Sequence, residues 1–365
     1  MKIGNRRSGM RKADSPENRA AREFGQKLFD TVFHGELETA FRESLEAARK
    51  RGNGLRIRLL LDETPELADL PWEYLYQQKR KEFLAFSRET PVVRYFHLPE
   101  TEKPLAVRPP LRVLVMLSNP SDVDCLNIEQ EWQKLKEAVK ELEERSLLVV
   151  ERLARATLSE LQERLQRGTY HVFHFVGHGS FDPATQESVL ALEDEKGRKR
   201  LVSGPDIGIY LRDAPSLRLV ILNACEGGRA SQNDPFSGAA QSLVLQGIPA
   251  VIAMQFEVSD EAAIALASGF YKALAVNYPV DAAVAEARKA VFAAGCGVEW
   301  GTPVLYLRAP DGRIFDVDVS SRDKPPQESE ARQPASRREH FCIHCGQSVV
   351  QEDFFCTNCG KPARL

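Results

Sequence analysis

Apolar side chains recur at three- and four-residue intervals between about Ala20 and Arg51, at Phe24, Leu28, Phe29, Val32 and Phe33, predicting one amphipathic helix or a pair. Gly52-Asn53-Gly54 is turn chemistry, and Leu55 to Leu61 then alternates like a half-buried strand. Leu111 to Leu117 is a nearly continuous apolar run ending in Ser118-Asn119-Pro120, as in a strand buried on both faces. Ile128, Trp132, Leu135, Val139 and Leu142 return to a helical step, and Leu147 to Leu153 is extended again. Thr157-Leu158-Ser159-Glu160 is a capping box opening a helix that Gly168 closes. Apolar strands follow at Tyr170–Val176, Leu217–Leu222 and Ala250–Met254, then a long helix from about Asp260 to Ala275. Strands alternating with helices predict an α/β fold, a mostly parallel sheet with helices on both faces, whose chemistry lies at the carboxyl ends of the strands.

The pattern fails at both ends of the chain. Residues 1–18 are polar without an apolar period, which predicts a disordered tail. Residues 319–339 are Pro, Ser, Gln and charge without period, which predicts a flexible linker. The main domain is thus expected over 19–318, with a helical and strand part at 19–108 and a core at 109–318, and a separate small unit over 340–365. A net charge of −3 makes no case for wholesale phosphate binding. No apolar run reaches the length of a membrane span, and the basic residues near the start are not followed by an apolar stretch. A cytoplasmic protein without membrane contact is expected. Of the seven cysteines, four fall after residue 341 as two C-x-x-C pairs, whereas Cys125, Cys225 and Cys296 are far apart, which in a reducing compartment favours metal over disulfides. Cys125 and Cys296 have no motif around them and read as core.

Two strand ends carry candidate chemistry. Tyr170 to Val176 runs into Gly177-His178-Gly179, where the glycines would let the backbone turn sharply and expose the imidazole. His178 precedes Cys225 by 47 residues, and Leu217 to Leu222 runs into Asn223-Ala224-Cys225-Glu226-Gly227, so a second strand delivers a thiol to the same sheet edge. A cysteine peptidase needs a thiolate, a histidine to protonate the leaving amine, and backbone N–H donors for the oxyanion. Cys225 would be the nucleophile, His178 the acid–base, and the N–H groups of Gly179 and Cys225 the oxyanion donors. Caspases place their histidine about 50 residues before the cysteine. Alone, Cys225 reads as a buried core thiol and His178 as a hydrogen-bonded structural group; the pairing of two glycine-flanked strand ends carries the catalytic reading. A metal shared by His171, His174 and His178 is disfavoured, because strand residues 171 and 174 point to opposite faces.

Four stretches, Asp69-Leu70-Pro71-Trp72-Glu73-Tyr74-Leu75-Tyr76, Phe175-Val176-Gly177-His178-Gly179, Leu222-Asn223-Ala224-Cys225-Glu226-Gly227 and Trp300-Gly301-Thr302-Pro303-Val304-Leu305, resemble the CHAT family of caspase-like peptidases over about residues 20–317. The resemblance implies a caspase–haemoglobinase sheet, peptide-bond hydrolysis through a His–Cys dyad without catalytic metal, control by a protein partner or sensor, and a place in prokaryotic signalling or defence. His178 and Cys225 inherit the dyad roles, Gly179 the oxyanion role, and Asn223 and Glu226 become candidates for substrate contact; the Trp72 region is expected to pack. Metacaspases hold a basic P1 side chain, the one on the amino side of the scissile bond, with an aspartate where this chain has Asn223. A carboxylate at Glu226 would tend to raise the thiol pKa and keep the enzyme quiet until activated. The tetratricopeptide repeats frequent in the family are missing from this chain.

Cys342-Ile343-His344-Cys345-Gly346 and Cys356-Thr357-Asn358-Cys359-Gly360 form C-x2-C-x10-C-x2-C, a zinc-ribbon spacing in which Cys342, Cys345, Cys356 and Cys359 close a tetrahedron and leave no open position. So short a unit cannot bury a core, so zinc would hold it together, supplying on the order of 10–16 kcal/mol. The expected protein is therefore a cysteine endopeptidase acting on a protein substrate, with structural zinc as sole cofactor and a ribbon that recruits a partner or substrate. The alternative is a catalytically silent caspase-like scaffold whose ribbon binds protein or nucleic acid, although the charge does not indicate nucleic acid.

Overall fold

The computed structural model describes residues 15–61, 64–96, 98, 103–123, 127–182, 187–224, 236–318, 340–341 and 348–349. The chain divides into two compact units, Met1–Asp318 and Val319–Leu365.

The first unit is built on an eight-stranded sheet in the spatial order Ile57–Leu59, Val92–Tyr95, Pro303–Leu307, Ala250–Met254, Leu219–Ala224, Val172–Gly177, Leu111–Leu117, Leu148–Arg152. All neighbours are parallel except Ala250–Met254 with Pro303–Leu307, where Ile252 faces Leu305 in an antiparallel ladder. The strand order reverses between Leu111–Leu117 and Val172–Gly177, the kind of switch point at which open α/β sheets place their ligands.

Both faces are covered, which is why the central strands read as unbroken apolar runs rather than alternating ones. One core joins Val172, Val176, Leu219, Ile221 and Ile252 to the helices Ile128–Glu144, Asp260–Ala275 and Val280–Ala294. The opposite core joins Phe173, Phe175, Val220 and Leu222 to Leu158–Arg167, Gly204–Arg212 and Ser237–Leu245. A third cluster packs Phe29, Phe41 and Leu45 of the N-terminal helices against Trp72, Tyr74 and Trp300. Burying each large apolar side chain contributes roughly 1.5–3 kcal/mol, so these strands anchor what they deliver to the sheet edge.

The N-terminal periodicity resolves into two helices, Pro16–Val32 and Glu36–Lys50. The first begins inside the stretch expected to be a tail: Ser15 caps it, its Oγ accepting from the Asn18 N–H at 3.2 Å, and Pro16 has the φ that a first helical position needs. The capping at Thr157 is as expected, with the Glu160 N–H donating to Thr157 Oγ at 3.2 Å and Gly168 ending the helix. The strands Val92–Tyr95 and Pro303–Leu307 and the helices Gly204–Arg212, Ser237–Leu245 and Val280–Ala294 had no periodic signal singled out for them. In the second unit, His340–Phe341 and Ser348–Val349 pair as antiparallel strands, His340 opposite Val349. Among the described residues no helix is long and apolar enough to cross a membrane.

Candidate active site

The strand Val172–Gly177 is buried along its whole length between Leu111–Leu117 and Leu219–Ala224, with Phe173 opposite Val220 and Phe175 opposite Leu222. This parallel register runs to the last residues, pairing Val176 with Asn223 and Gly177 with Ala224. The residue that follows the first strand is His178, and the one that follows the second is Cys225. His178 is half-buried. Cys225 and Glu226 lie outside the described residues, as do Cys125 and the zinc-ligand candidates Cys342, Cys345, Cys356 and Cys359.

Beyond His178 the chain enters a second strand, Gly179–Asp182, in a three-stranded antiparallel sheet with Glu187–Glu193 and Lys199–Ser203. The Ala191 N–H donates to the His178 carbonyl at 3.0 Å, and the Ala191 carbonyl accepts from Ser118 Oγ at 2.6 Å. Ser118 is itself fully buried and donates its N–H to Val176 O at 2.9 Å, so the backbone around His178 is fastened from two sides. Gly179 faces Leu190, one residue along from the bonded pair, and because hydrogen-bonded and non-bonded pairs alternate in an antiparallel ladder, its N–H is turned away from that strand. A donor so turned is of the kind an oxyanion site uses.

The two glycines flanking His178 are required for a different reason than the expected sharp turn. Neither has a positive φ. A Cβ at Gly177 would come within 2.7 Å of Phe175 Cζ and 3.1 Å of Ser118 Cβ, and one at Gly179 within 2.7 Å of the Phe236 ring. Close packing excludes side chains here, and the chain passes from one sheet to the next without a left-handed residue.

Behind this edge, His174 is buried and its Nδ1 shares a hydrogen bond with the Tyr271 hydroxyl at 2.9 Å, while Nε2 has no hydrogen-bond partner among the described residues. Burial in apolar surroundings lowers its pKa to about 4 and raises that of Tyr271. His171 is also held down, to about 4, by burial and by Arg112; its Nδ1 accepts from the Arg112 N–H at 2.9 Å. Asn223 is half-buried, and its buried Oδ1 has no hydrogen-bond partner among the described residues. His174 and Asn223 line one cleft with Ile221, Ile252, Met254, Val258, Ala263, Leu266, Ala267, Phe270 and Tyr271, enclosing about 400 Å³ with its solvent side included.

The Asp69–Tyr76 stretch packs, as expected of it: Trp72 is buried and donates its indole N–H to Leu67 O at 2.8 Å. Glu73 does more than pack. It is 1% exposed, lies 3.8 Å from Arg94, which is also buried, and accepts from Gln255 Nε2 at 3.1 Å. Gln255 Nε2 also donates to Gly301 O at 2.9 Å, its N–H donates to Thr302 O at 3.1 Å, and Glu299 accepts from the Ser259 N–H at 2.6 Å. The segment after Met254 is therefore held by residues 299–302 on one side and Glu73 on the other. Sequence reasoning missed Ser118, Glu73, Gln255 and Tyr271 as supports; the one available signal was Glu73, a carboxylate placed between two aromatics in an apolar stretch. Cys296 is buried in the third core cluster, as expected.

In this doubly wound α/β domain His178 follows one buried strand, and in the sequence Cys225 follows its parallel neighbour. The CHAT domain matches residues 22–310, and the chain belongs to that family. Among solved structures the chain is similar to the Saccharomyces cerevisiae separase–securin complex, with 14% identity over 66% of this chain and 14% of the other and a TM-score of 0.34. It is also similar to the Arg-specific cysteine proteinase gingipain R, with 11% identity over 56% of this chain and 47% of the other and a TM-score of 0.34. The chain thus spans about one seventh of the first and about half of the second. No curated protein matches it.

Proposed function

We propose that the chain is a cysteine endopeptidase that cleaves a protein substrate with Cys225 as nucleophile and His178 as acid–base. The observation carrying this reading is the register that ends Gly177 beside Ala224, so that the residues following them leave adjacent parallel strands at one edge. In the proposed reaction the Cys225 thiolate adds to the scissile carbonyl, with the N–H groups of Gly179 and Cys225 receiving the oxyanion. His178 protonates the departing amine, and water, deprotonated by the same imidazole, then releases the acid product and regenerates the thiol. Asn223 and Glu226 would contact the substrate. A protein partner would activate the enzyme in the cytoplasm, within a signalling or defence pathway.

Zinc fits the second unit. Two antiparallel strands, His340–Phe341 and Ser348–Val349, bracket Cys342 and Cys345 in the sequence, and the donor set of four thiols suits a closed structural site. Cys342, Cys345, Cys356 and Cys359 would hold the ion, which would supply folding energy and no catalysis, and the ribbon would recruit a partner or substrate.

The test is labelling of the full chain by a library of thiol-directed peptide probes, with Cys225→Ala and His178→Ala alongside. Labelling that vanishes in Cys225→Ala and slows at least about 100-fold in His178→Ala is expected. Labelling of wild type by no probe, with or without candidate partners, removes the peptidase reading in favour of a silent scaffold.

A further inference from the structure

We propose that the amino edge of the sheet, opposite the edge that carries His178, holds a binding site for a single phosphate group, either free or borne by a small molecule. A depression of about 260 Å³, its solvent side included, is lined there by four cations, Lys103, Arg218, Arg308 and Arg313, and by the apolar Pro249, Ala309 and Ile314. Strand pairing brings them together. Arg218 and Pro249 immediately precede the parallel neighbours Leu219–Ala224 and Ala250–Met254. Because Pro303–Leu307 runs antiparallel, with Leu307 opposite Ala250, it delivers Arg308 and Ala309 to the same edge. Lys103 and Arg313 come from a two-stranded sheet in which Leu105 pairs with Phe315, each standing two residues before its strand. At about 3.3 Å per residue, Leu219–Ala224 puts about 20 Å between this depression and the carboxyl edge, so an anion here cannot touch a substrate there.

The charge sets the ligand. Four of the seven lining residues are cationic, against 49 of 365 in a chain of net charge −3, and none of the seven is Asp or Glu. Asp311, the acid of the turn that carries Arg313, folds back to accept from the Arg313 N–H at 2.9 Å and does not line the depression. The cations are graded in depth: Arg308 is 8% exposed and Arg218 half-buried, while Lys103 and Arg313 are exposed at the rim. Like charges around one depression repel one another, and burial lowers the pKa of Arg218; a seated anion offsets both. A carboxylate is satisfied by one bidentate arginine, whereas a tetrahedral phosphate with about two negative charges takes donors from several directions. The volume falls below the roughly 300–1,000 Å³ of sites that enclose a whole small ligand, so the phosphate enters and any remainder of the molecule stays in solvent. The frame is already set. The Arg218 N–H donates to His171 O at 3.0 Å, the Ala250 N–H to Arg218 O at 3.2 Å, the Arg308 N–H to Pro249 O at 3.1 Å and the Leu105 N–H to Ile314 O at 3.0 Å, which leaves little backbone ordering to be done on binding.

The experiment titrates the full chain with inorganic phosphate, pyrophosphate and ATP by calorimetry, at ionic strength set with chloride, beside Arg218→Gln and the rim double variant Lys103→Glu/Arg313→Glu. One saturable site per chain is expected, its affinity falling about 10-fold or more in each variant and falling again as chloride is raised. Comparable affinity for all three anions assigns the free ion as ligand. Affinity for pyrophosphate and ATP about 10-fold or more above that for phosphate assigns a terminal phosphate borne by a larger molecule; either result upholds the site. No saturable binding of any of the three up to about 10 mM overturns it. Binding that the rim double variant leaves unchanged overturns it as well, and because both rim side chains are exposed, that variant is expected to keep the wild-type unfolding transition.

Discussion

His174 and His178 stand four positions apart on one chain segment, in opposite surroundings. His174 sits in the middle of a strand buried on both faces, sealed against Tyr271 and held uncharged down to about pH 4. His178 stands one residue past the strand end, half-buried, its carbonyl accepting from the Ala191 N–H at 3.0 Å. The difference teaches what a sheet edge is for. A histidine that must exchange protons has to keep contact with water, while the strand that carries it must be rigid, and the two demands meet only where buried strand becomes exposed loop.

The sharpest way to break this contrast is to exchange the roles. If His178 is the acid–base, His178→Ala should reduce peptide hydrolysis by about 1,000-fold or more while costing less stability than His174→Ala. His174→Ala should instead cost about 2–4 kcal/mol, from the cavity it leaves and the stranded Tyr271 hydroxyl. Denaturant unfolding of both variants beside a cleavage assay separates the two outcomes, and an active His178→Ala would end the comparison. In the same unfolding assay Glu73→Ala, which leaves buried Arg94 without its carboxylate and releases Gln255, should cost somewhat more than His174→Ala, about 3–5 kcal/mol.

The pH dependence sharpens the contrast. The unfolded chain takes up a proton on His174 near pH 6.5 and the folded chain does not until about pH 4, so the unfolded state binds more protons in that window. The stability present above pH 6.5 is therefore lost as pH falls, by up to about 3 kcal/mol at pH 4 for His174, with His171 acting in the same direction. Unfolding free energies of wild type and His174→Gln between pH 7 and 4 should converge as pH falls; parallel curves would show that His174 is not buried as described. The smallest effect belongs to Gly177→Ala, whose methyl must displace Phe175 or Ser118 and should cost about 1–3 kcal/mol by thermal unfolding.

Much of this was legible in the chain itself. The runs at Leu111–Leu117 and Ala250–Met254 and the helix Asp260–Ala275 coincide with the elements observed, because period and apolar length are local properties. The candidate pair His178 and Cys225 could also be singled out, each following an apolar strand beside glycine. Its supports could not. Ser118 reaches the backbone of Ala191 73 residues away, Tyr271 reaches His174 across 97, and Gln255 reaches Glu73 across 182. A serine or glutamine carries no pattern that names so distant a partner.

By itself, then, the sequence determined the alternation of strands and helices, the two strand ends that carry candidate chemistry, and the cysteine spacing that suits a metal. Only the tertiary structure decided the order of the strands, the antiparallel placement of Pro303–Leu307, the reason for the glycines around His178, and the cleft that His174 and Asn223 line. Those depend on which surfaces meet when both faces of the sheet are covered, and that is settled by the packing of segments far apart in the chain rather than by the character of any one of them.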